Sequence, residues 1–258
     1  MPESADYTRR KAFFDRVLTV YGRKPVLEAL RDSSLECHAL HLADSNRPGG
    51  IIAEITSCAA SRNVPVQHHA RDALSRISKN GRQDQGVALD ILCPSFQSID
   101  DYLANLPAGR ARLLALDGIS NPQNLGMIIR AAAAGAIDGI LIPAKGSAAL
   151  GPLVIKASAG TVYRAPIVTC DTLPDALTRL ADQGFTTCAM AGDANTTLFD
   201  FSEPERVLYV LGNESDGISA ATRRAVAQSL SIPMNNGVES LNVAVTASLV
   251  AFAAYFER

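Results

Sequence analysis

The chain has 258 residues, of which 47% are hydrophobic and 19% are charged, and its formal net charge at pH 7 is −2. This length can bury one large core or two smaller ones, and the charge balance argues against a protein that coats nucleic acid non-specifically. The charged N-terminus argues against a signal peptide, and no apolar stretch reaches the roughly 18 residues that span a bilayer. We therefore expect a cytoplasmic protein with no membrane partner.

The first third of the chain predicts a small α/β domain. A short strand or turn around Val20 leads into an amphipathic helix, in which Val26, Leu27 and Leu30 have helical spacing. Strand and helix then alternate, with strands predicted at 37–44, 64–69 and 86–94 and helices at 51–63 and 71–80. This alternation predicts a sheet that is at least partly parallel.

Two groups of basic residues stand out in this part of the chain. The first comprises Arg9, Arg10, Lys11, Arg16, Arg23 and Lys24, and the second comprises Arg76, Lys79 and Arg82. Each group is compatible with a nucleic-acid contact and equally with a solvated helix face or loop.

A polar segment with prolines near both ends, residues 94–112, marks the predicted domain boundary. We assign residues 1–94 to an N-terminal domain, 95–112 to a linker with one short helix after Ser98, and 113–258 to a C-terminal domain.

The C-terminal domain repeats the α/β pattern from Leu113 onward. Predicted strands cover 113–119, 139–144, 165–170, 186–193, 207–213 and 231–234. Predicted helices cover 124–136, 151–160, 172–183, 219–230 and 240–256.

Three polar loops follow predicted strands of this domain: DGISNPQNLG, LGNESDGIS and IPMNNGVESLN. Ligands of open parallel sheets bind beyond the carboxyl ends of the strands, so these loops form one site if they converge. Ser219, and Ser240 or Asn242, are suited to N-capping, which is the purely structural alternative.

The loops contain several candidate functional residues. Asn124 and Arg130 open a helix, and the apolar neighbours of Arg130 predict a buried arginine that needs an anionic partner. Glu214 directly follows an apolar strand and is a candidate for that partner. The third loop offers short polar groups that can bind a ligand, namely Asn235, Asn236, Ser240 and Asn242.

Several kinds of site have no support in the sequence. All four histidines lie before residue 70, which weakens Ser/His hydrolysis, histidine acid–base chemistry and zinc catalysis in the C-terminal domain. The five cysteines are widely spaced without a C-x-x-C pair, so we expect reduced thiols and no metal site. Neither G-x-G-x-x-G nor a P-loop motif occurs.

Three segments carry a specific family resemblance: LDGISNPQNLGMIIRAAAAGAIDGILIP, VLYVLGNESDGIS and SIPMNNGVESLNVAVTASLVAFAAYFER. In order and spacing they resemble motifs 1, 2 and 3 of the SpoU (TrmH) family of RNA 2'-O-methyltransferases. The stretch from about Val20 to Pro94, with YGRKPVLEAL and DQGVAL, resembles the substrate-binding domain of that family's rRNA-modifying branch.

The resemblance implies a fold and a set of partners. It implies a parallel sheet whose C-terminal segment forms a deep trefoil knot, a feature too rare to derive from periodicity. It also implies S-adenosylmethionine as cofactor, RNA as substrate with rRNA favoured over tRNA, and a homodimer whose site draws on both subunits.

Matching the motifs transfers roles residue by residue. The resemblance implies catalytic roles for Arg130, Asn124, Glu214, Ser240 and Asn242. It implies cofactor contacts from the second and third loops at Leu211, Gly212, Asn213, Ile232, Met234, Leu241 and Asn242. Two positions depart from the family pattern: Ala244 stands where a second serine is common in SLNVS, and Asp84 stands where the N-terminal domain usually has a histidine.

Arg130 admits two mechanistic roles. Either it is deprotonated when RNA binds and acts as a base, or it stays charged, clamps a phosphate and stabilises the transition state electrostatically. Alternatives to an rRNA enzyme are a tRNA methyltransferase and a non-catalytic RNA-binding protein on the same fold. A nucleotide-dependent oxidoreductase lacks its glycine fingerprint.

Overall fold

The computed structural model describes residue 11 and residues 13–256, so Arg9 and Arg10 of the first basic group lie outside the described residues. The chain divides into two compact units, residues 1–94 with 150–152, and residues 95–149 with 153–258. No helix among the described residues is long and apolar enough to cross a membrane.

The N-terminal unit is built on a four-stranded mixed sheet. Its described elements in chain order are β1 (Val17–Tyr21), α1 (Arg23–Arg31), β2 (Glu36–Ala43), α2 (Gly50–Ser61), β3 (Val66–His69), α3 (Arg71–Ser78) and β4 (Val87–Leu92). The strand order is β1-β4-β2-β3. Strands β2 and β3 are parallel, which confirms the partly parallel prediction, whereas β4 is antiparallel to both β1 and β2.

The second unit is built on a sheet of parallel strands. Its first elements are β5 (Gln97–Ser98), α4 (Ile99–Ala104), β6 (Ala111–Leu116), α5 (Pro122–Ala134), β7 (Gly139–Pro143), α6 (Pro152–Ala157), a 3₁₀ turn (Thr161–Tyr163) and β8 (Ile167–Cys170). There follow α7 (Leu173–Asp182), β9 (Thr186–Met190), β10 (Arg206–Leu211), α8 (Ala220–Ala225), β11 (Gln228–Leu230) and α9 (Val243–Ala253). Every neighbouring pair in the order β11-β9-β10-β6-β7-β8-β5 is parallel.

Mostly apolar runs form the central strands of this sheet, with Arg112 as a buried charged residue in β6. All residues of β6 and β7 are buried, as expected where a parallel sheet is covered on both faces. The observed α/β architecture, a parallel-sheet domain with a small N-terminal domain, is the predicted fold class.

Local signals set the starts of the helices around the sheet. Asn121 caps α5 by accepting from the Gln123 backbone N–H at 2.8 Å, and Pro122 occupies the first turn. Asn242 caps α9 by accepting from the Ala244 N–H at 2.8 Å. This cap explains why α9 begins at Val243 rather than at residue 240 as predicted.

Two predicted elements differ from the structure for tertiary reasons. Residues 95–112 were expected to be a linker with one short helix after Ser98. That helix is present as α4, with Ser98 as its N-cap, but the segment also carries β5, which pairs with β8 in the sheet, and the start of β6. The predicted helix over 219–230 ends at Ala225, because Gln228–Leu230 pairs with β9 as strand β11. Strand pairing here overrides local helix propensity. Residues 231–234, predicted as a strand, form a loop.

Candidate functional site

A cavity of about 420 Å³ lies beyond the carboxyl ends of β9, β10 and β11. It falls within the size range of small-molecule sites, about 300–1,000 Å³. Three stretches of chain line it, namely the turn after β10, the loop between β11 and α9, and the residues that follow β9. Its lining residues are Met190, Ala191, Gly192, Asp193, Leu211, Gly212, Asn213, Glu214, Gly217, Ile218, Arg223, Ile232, Met234, Glu239, Ser240, Leu241, Val243 and Thr246.

The structure brings most of the predicted site residues to this cavity. Those that line it are Leu211, Gly212, Asn213, Glu214, Ile232, Met234, Ser240 and Leu241. Asn124, Arg130 and Asn242 are not among the lining residues. Asn235 and Asn236 of the third loop are exposed and do not line the cavity either.

A chain of side-chain hydrogen bonds joins the three predicted motifs beside the cavity. Asn242 Nδ2 donates to Asn124 Oδ1 at 3.2 Å, and Asn124 Nδ2 donates to Glu214 Oε1. Asn124 lies in the first turn of α5 and is only 7% exposed, so both ends of its amide are committed to these partners. The chain holds the start of α5, the turn after β10 and the start of α9 together.

Arg130 is placed differently from the prediction. Arg130 lies six positions after Asn124, and at about 3.6 residues per turn the two side chains lie roughly 120° apart around α5. Arg130 is exposed together with Met127, while positions such as Ile128 and Ile129 face the core. Within the described part of the chain it has no hydrogen-bond or ion-pair partner. Within one chain the partner of Glu214 is Asn124 and not Arg130.

The turn after β10 is tightly built. Asn213 and Gly217 exchange two backbone hydrogen bonds of 2.9 Å, and Asn213 Nδ2 donates to the Gly118 carbonyl at 2.7 Å. A Cβ on Gly212 would lie 2.3 Å from the Gly217 carbonyl carbon. Only glycine fits at position 212, because the backbone of the turn occupies the space that a Cβ would need.

One of the three stretches that line the cavity, the residues after β9, was not predicted to belong to the site. The residues after β9, from Met190 to Asp193, were predicted as the end of a strand, and Arg223 and Glu239 were not singled out. The sequence Ala-Gly-Asp after β9 is typical of an ordinary turn, so it does not indicate a binding site. Only the strand order, which places β9 between β10 and β11, shows that this end lies at the site.

The charges around the cavity are mainly negative. Asp193, Glu214 and Glu239 contribute carboxylates, and Arg223 contributes a guanidinium. The remaining surface combines apolar side chains with backbone. Such a site suits a ligand with an apolar body, a net positive charge and at least one anionic group.

The two departures from the family pattern have structural roles in this chain. Ala244 is buried, and its backbone N–H supports the Asn242 cap. Asp84 is fully buried, pairs with Arg71 Nη1 at 2.6 Å and accepts from Ser78 Oγ and the Gly86 N–H. Asp84 therefore organises the loop before β4.

Comparison with known proteins follows the same division of the chain. Residues 111–252 match the SpoU rRNA Methylase family, and residues 19–94 match the RNA 2'-O ribose methyltransferase substrate binding family. An uncharacterized tRNA/rRNA methyltransferase of Mycobacterium ulcerans is 35% identical over 237 residues, which cover 92% of this chain and 76% of the relative. A Mycobacterium leprae protein of the same description is 36% identical with the same coverage.

Solved structures share the fold across nearly the whole chain. The SpoU methyltransferase AviRb from Streptomyces viridochromogenes, in complex with AdoMet, is 19% identical with a TM-score of 0.63, covering 98% of this chain and 92% of that one. An AdoMet-bound rRNA methyltransferase from Sinorhizobium meliloti is 20% identical with a TM-score of 0.63, covering 97% and 90%. The family matches confirm the resemblance carried by the three motifs, and the chain belongs to the SpoU family of RNA methyltransferases.

Proposed function

We propose that this protein is an S-adenosylmethionine-dependent RNA ribose 2'-O-methyltransferase that acts on rRNA in the cytoplasm. One observation carries the proposal: the Asn242–Asn124–Glu214 hydrogen-bond chain joins all three SpoU motifs at the edge of a ligand-sized cavity.

The cavity fits S-adenosylmethionine in size and chemistry. Its apolar residues, among them Leu211, Ile232 and Leu241, suit an adenine ring. The carboxylates suit the positively charged sulfonium and ammonium groups, while Arg223 suits the carboxylate. Bound there, the cofactor would supply an electrophilic methyl group.

The protein's own residues would position the target ribose and its neighbouring phosphate. A ribose hydroxyl is a weak acid, so its oxygen must be held in line with the methyl group and its developing charge stabilised. Ser240 at the cavity edge can hydrogen-bond the ribose or the cofactor. Glu214 and Asn242 fix Asn124 and, through it, the first turn of α5.

Arg130 would act as a charged clamp. The Arg130 guanidinium is exposed and has no partner among the described residues, so it is available to an anionic ligand. A charged Arg130 can bind a phosphate beside the target nucleotide in bidentate fashion. This placement favours the clamp over the alternative in which Arg130 is deprotonated.

We propose further that the active form is a homodimer and that its fold contains the family's trefoil knot. The mutually packed helices α5 and α9 both expose apolar side chains, including Met127, Val245 and Phe252. Because Arg130 lies on α5 near this surface, a partner subunit could bring its own Arg130 to the cavity.

The N-terminal unit supports rRNA as the substrate. It matches a substrate-binding domain along nearly its full length. The related proteins carry the description tRNA/rRNA methyltransferase, so tRNA is the alternative substrate.

The decisive experiment is methyl transfer from radiolabelled S-adenosylmethionine to bulk rRNA and tRNA from cells that lack this protein, followed by mapping of ribose-methylated sites. We expect label at one rRNA nucleotide and its loss with Arg130→Ala. Arg130→Lys should retain much of the activity if Arg130 is a charged clamp. Label in tRNA would keep the chemistry and overturn the rRNA assignment, and label in neither RNA without cofactor binding would favour an RNA-binding protein.

The hydrogen-bond chain can be tested in the same assay. Asn124→Ala and Glu214→Ala should each lower kcat by about 10²-fold, the typical cost of losing a positioning group. Gln123→Ala, an exposed neighbour on α5, is the matched control and should leave kcat unchanged. Normal turnover in both test variants would show that the chain has no part in catalysis.

A further inference from the structure

A second cavity, of about 500 Å³, lies within the N-terminal unit between the carboxyl ends of β2 and β3 and helix α2. Its lining residues are Leu42, Ala43, Asp44, Asn46, Pro48, Gly49, Ile52, Ala53, Thr56, Ser57, Ala60 and His68. None of them belongs to the proposed methyl-transfer site.

The floor of this pocket is apolar and kept open by small side chains. Leu42, Ala43 and Ile52 are buried and form the base. Ala53 and Ala60 are exposed along one face of α2 and leave room above it. A flat apolar group can therefore lie against the floor, and a large side chain at position 53 would fill the space.

The free polar groups at the rim are mostly acceptors. The Asp44 carboxylate is exposed, with Oδ1 4.0 Å from His68 Nδ1. The Thr56 hydroxyl donates to the Ile52 carbonyl at 2.8 Å, which leaves its lone pairs for a ligand. The Asn46 side chain is already engaged, since Nδ2 donates to the Gly86 carbonyl and Oδ1 accepts from Arg23. The rim thus recognises a ligand that presents N–H groups.

Positive charge flanks the pocket. Arg23 is fixed at its edge, where Nη2 donates to Asn46 Oδ1 at 3.2 Å and Nε donates to the Gln85 carbonyl at 3.2 Å. Arg47, between pocket residues Asn46 and Pro48, is exposed and has no partner within the described ranges. These features match the parts of one nucleotide of an RNA strand. The apolar slot suits the base, the acceptor rim suits the base edge, and the flanking guanidiniums suit the phosphates.

We propose that this pocket binds one unstacked RNA base that carries an exocyclic amino group. The amino group donates to Asp44, the ring stacks on the His68 imidazole and the apolar floor, and Arg47 with Arg23 neutralises adjacent phosphates. Adenine, cytosine and guanine carry such an amino group. Uracil offers only its ring N3–H, which lies between two carbonyl oxygens that the Asp44 carboxylate would repel. The inference rests on the proposed function, since it assumes an RNA substrate, and it adds base selectivity to the N-terminal unit.

The test measures binding of fluorescein-labelled uridine nonamers with a central U, A, C or G to the full chain by fluorescence anisotropy. We expect the wild type to bind the A, C and G strands about tenfold more tightly than the all-U strand, the size of one charge-assisted hydrogen bond. Asp44→Asn should reduce this ratio to near one, and Ala53→Phe should weaken binding of the three strands to the all-U level. Ser61→Phe, exposed on α2 outside the pocket, is the matched control and should behave as the wild type.

Two outcomes would overturn the pocket assignment: equal or undetectable binding of all four strands by the wild type, or a base preference that survives in Asp44→Asn and Ala53→Phe. The methyl-transfer assay separates this failure from that of the proposed function. Methylation without base discrimination would refute the pocket alone, whereas base discrimination without methylation would refute the proposed enzyme activity alone.

Discussion

At the scale of single residues, the N-terminal sheet contains a buried hydrogen-bond chain that the sequence does not indicate. Thr19 Oγ1 donates to Asp90 Oδ1 at 2.6 Å, and His41 Nε2 donates to Asp90 Oδ2 at 3.1 Å. His41 Nδ1 lies 3.0 Å from His69 Nε2. Burial raises the pKa of Asp90, but the hydrogen bonds from His41 and Thr19 outweigh it, so the net pKa lies below the usual aspartate value. These residues come from four strands, and no local spacing connects them.

Thr19→Val tests this chain, because it keeps the shape of the side chain and removes the donor. We expect a loss of about 1–3 kcal/mol in the free energy of unfolding at pH 7, the cost of an unpaired buried acceptor. The depressed pKa of Asp90 stabilises the fold above the unfolded value of about 3.9, and this stabilisation is lost as pH falls through the folded pKa. The difference in the free energy of unfolding between variant and wild type should therefore become smaller below about pH 4. Urea unfolding between pH 7 and pH 3 measures this difference, with Thr56→Val as the exposed control. A difference that stays constant with pH would contradict the assignment.

The positions of several candidate-site residues could be predicted from local sequence. The polar residues after β10 and before α9 could be identified because each follows an apolar run and precedes a capped helix. Arg130 shows the limit of this reasoning. Apolar neighbours in sequence suggested burial, but the helical turn directs its side chain to the opposite, exposed face.

At the scale of elements, Arg112 fixes the C-terminal end of helix α9. Arg112 is 2% exposed on β6, and its guanidinium donates to the carbonyls of Val250 and Ala136 at 3.0 and 2.6 Å. Its Nε donates to both oxygens of Glu203. Burial raises the pKa of Glu203, but hydrogen bonds from Arg110, Tyr209 and Arg112 lower it overall. Because Asn242 caps the other end of α9 beside the cavity, both ends of the helix have defined positions.

Arg112→Met should therefore weaken both the fold and the site. Removing one partner of a buried ion pair costs about 3–5 kcal/mol, so we expect a loss of that size in the free energy of unfolding, and weaker binding of S-adenosylmethionine. Arg110→Met is the matched control, since Arg110 bonds to the same Glu203 but its side chain is 51% exposed, and it should cost about 1 kcal/mol or less. Urea unfolding and titration calorimetry measure the two effects. Equal losses in the two variants would show that burial of Arg112 does not determine its contribution.

Helices and strands were predicted correctly where a periodic apolar pattern coincides with a helix cap. They were predicted incorrectly where pairing with a distant strand determines the local structure. Helix α7 matches its predicted span closely, with Thr172 as its N-cap. Residues 226–230 look helical but extend along β9, because the Ala227 N–H bonds to the Thr187 carbonyl and the strand continues from there. Such pairing depends on a partner 40 residues earlier in the chain, which no window of local sequence contains.

At the scale of the whole molecule, alternation of strand and helix predicts two α/β units, but not the order of the strands. The order β11-β9-β10-β6 brings the end of β9 to the cavity and adds Asp193 to its lining. Sequence order alone places β9 beside β8. The end of β9 was missed as part of the candidate site, and residues 95–112 were assigned to a linker, because both depend on strand pairings that the order of the sequence does not show.

The exposed apolar surface of α9 predicts that the second unit pairs with a second copy of the chain. Val245, Phe252 and Tyr255 are 48%, 37% and 64% exposed, an arrangement typical of an interface rather than of a free helix face. Phe252→Asp should convert a dimer to a monomer in light scattering with unchanged circular dichroism. Phe199→Asp, at an equally apolar residue that is 57% exposed in the segment between β9 and β10, should leave the dimer intact.

A dimer also allows the source of Arg130 to be determined, because two inactive variants can complement each other. If Arg130 serves the partner's cavity, random mixing of Arg130→Ala with Asn124→Ala subunits gives heterodimers in which one site carries both changes and the other carries neither. Half of the dimers are then mixed and half of their sites intact, so about a quarter of wild-type methyl transfer should return. If Arg130 serves the cavity of its own chain, every site in the mixture keeps one defect and activity stays at the level of the single variants. Subunit exchange followed by the methyl-transfer assay distinguishes the two arrangements, and Phe252→Asp in both variants should abolish any recovery because it prevents their pairing.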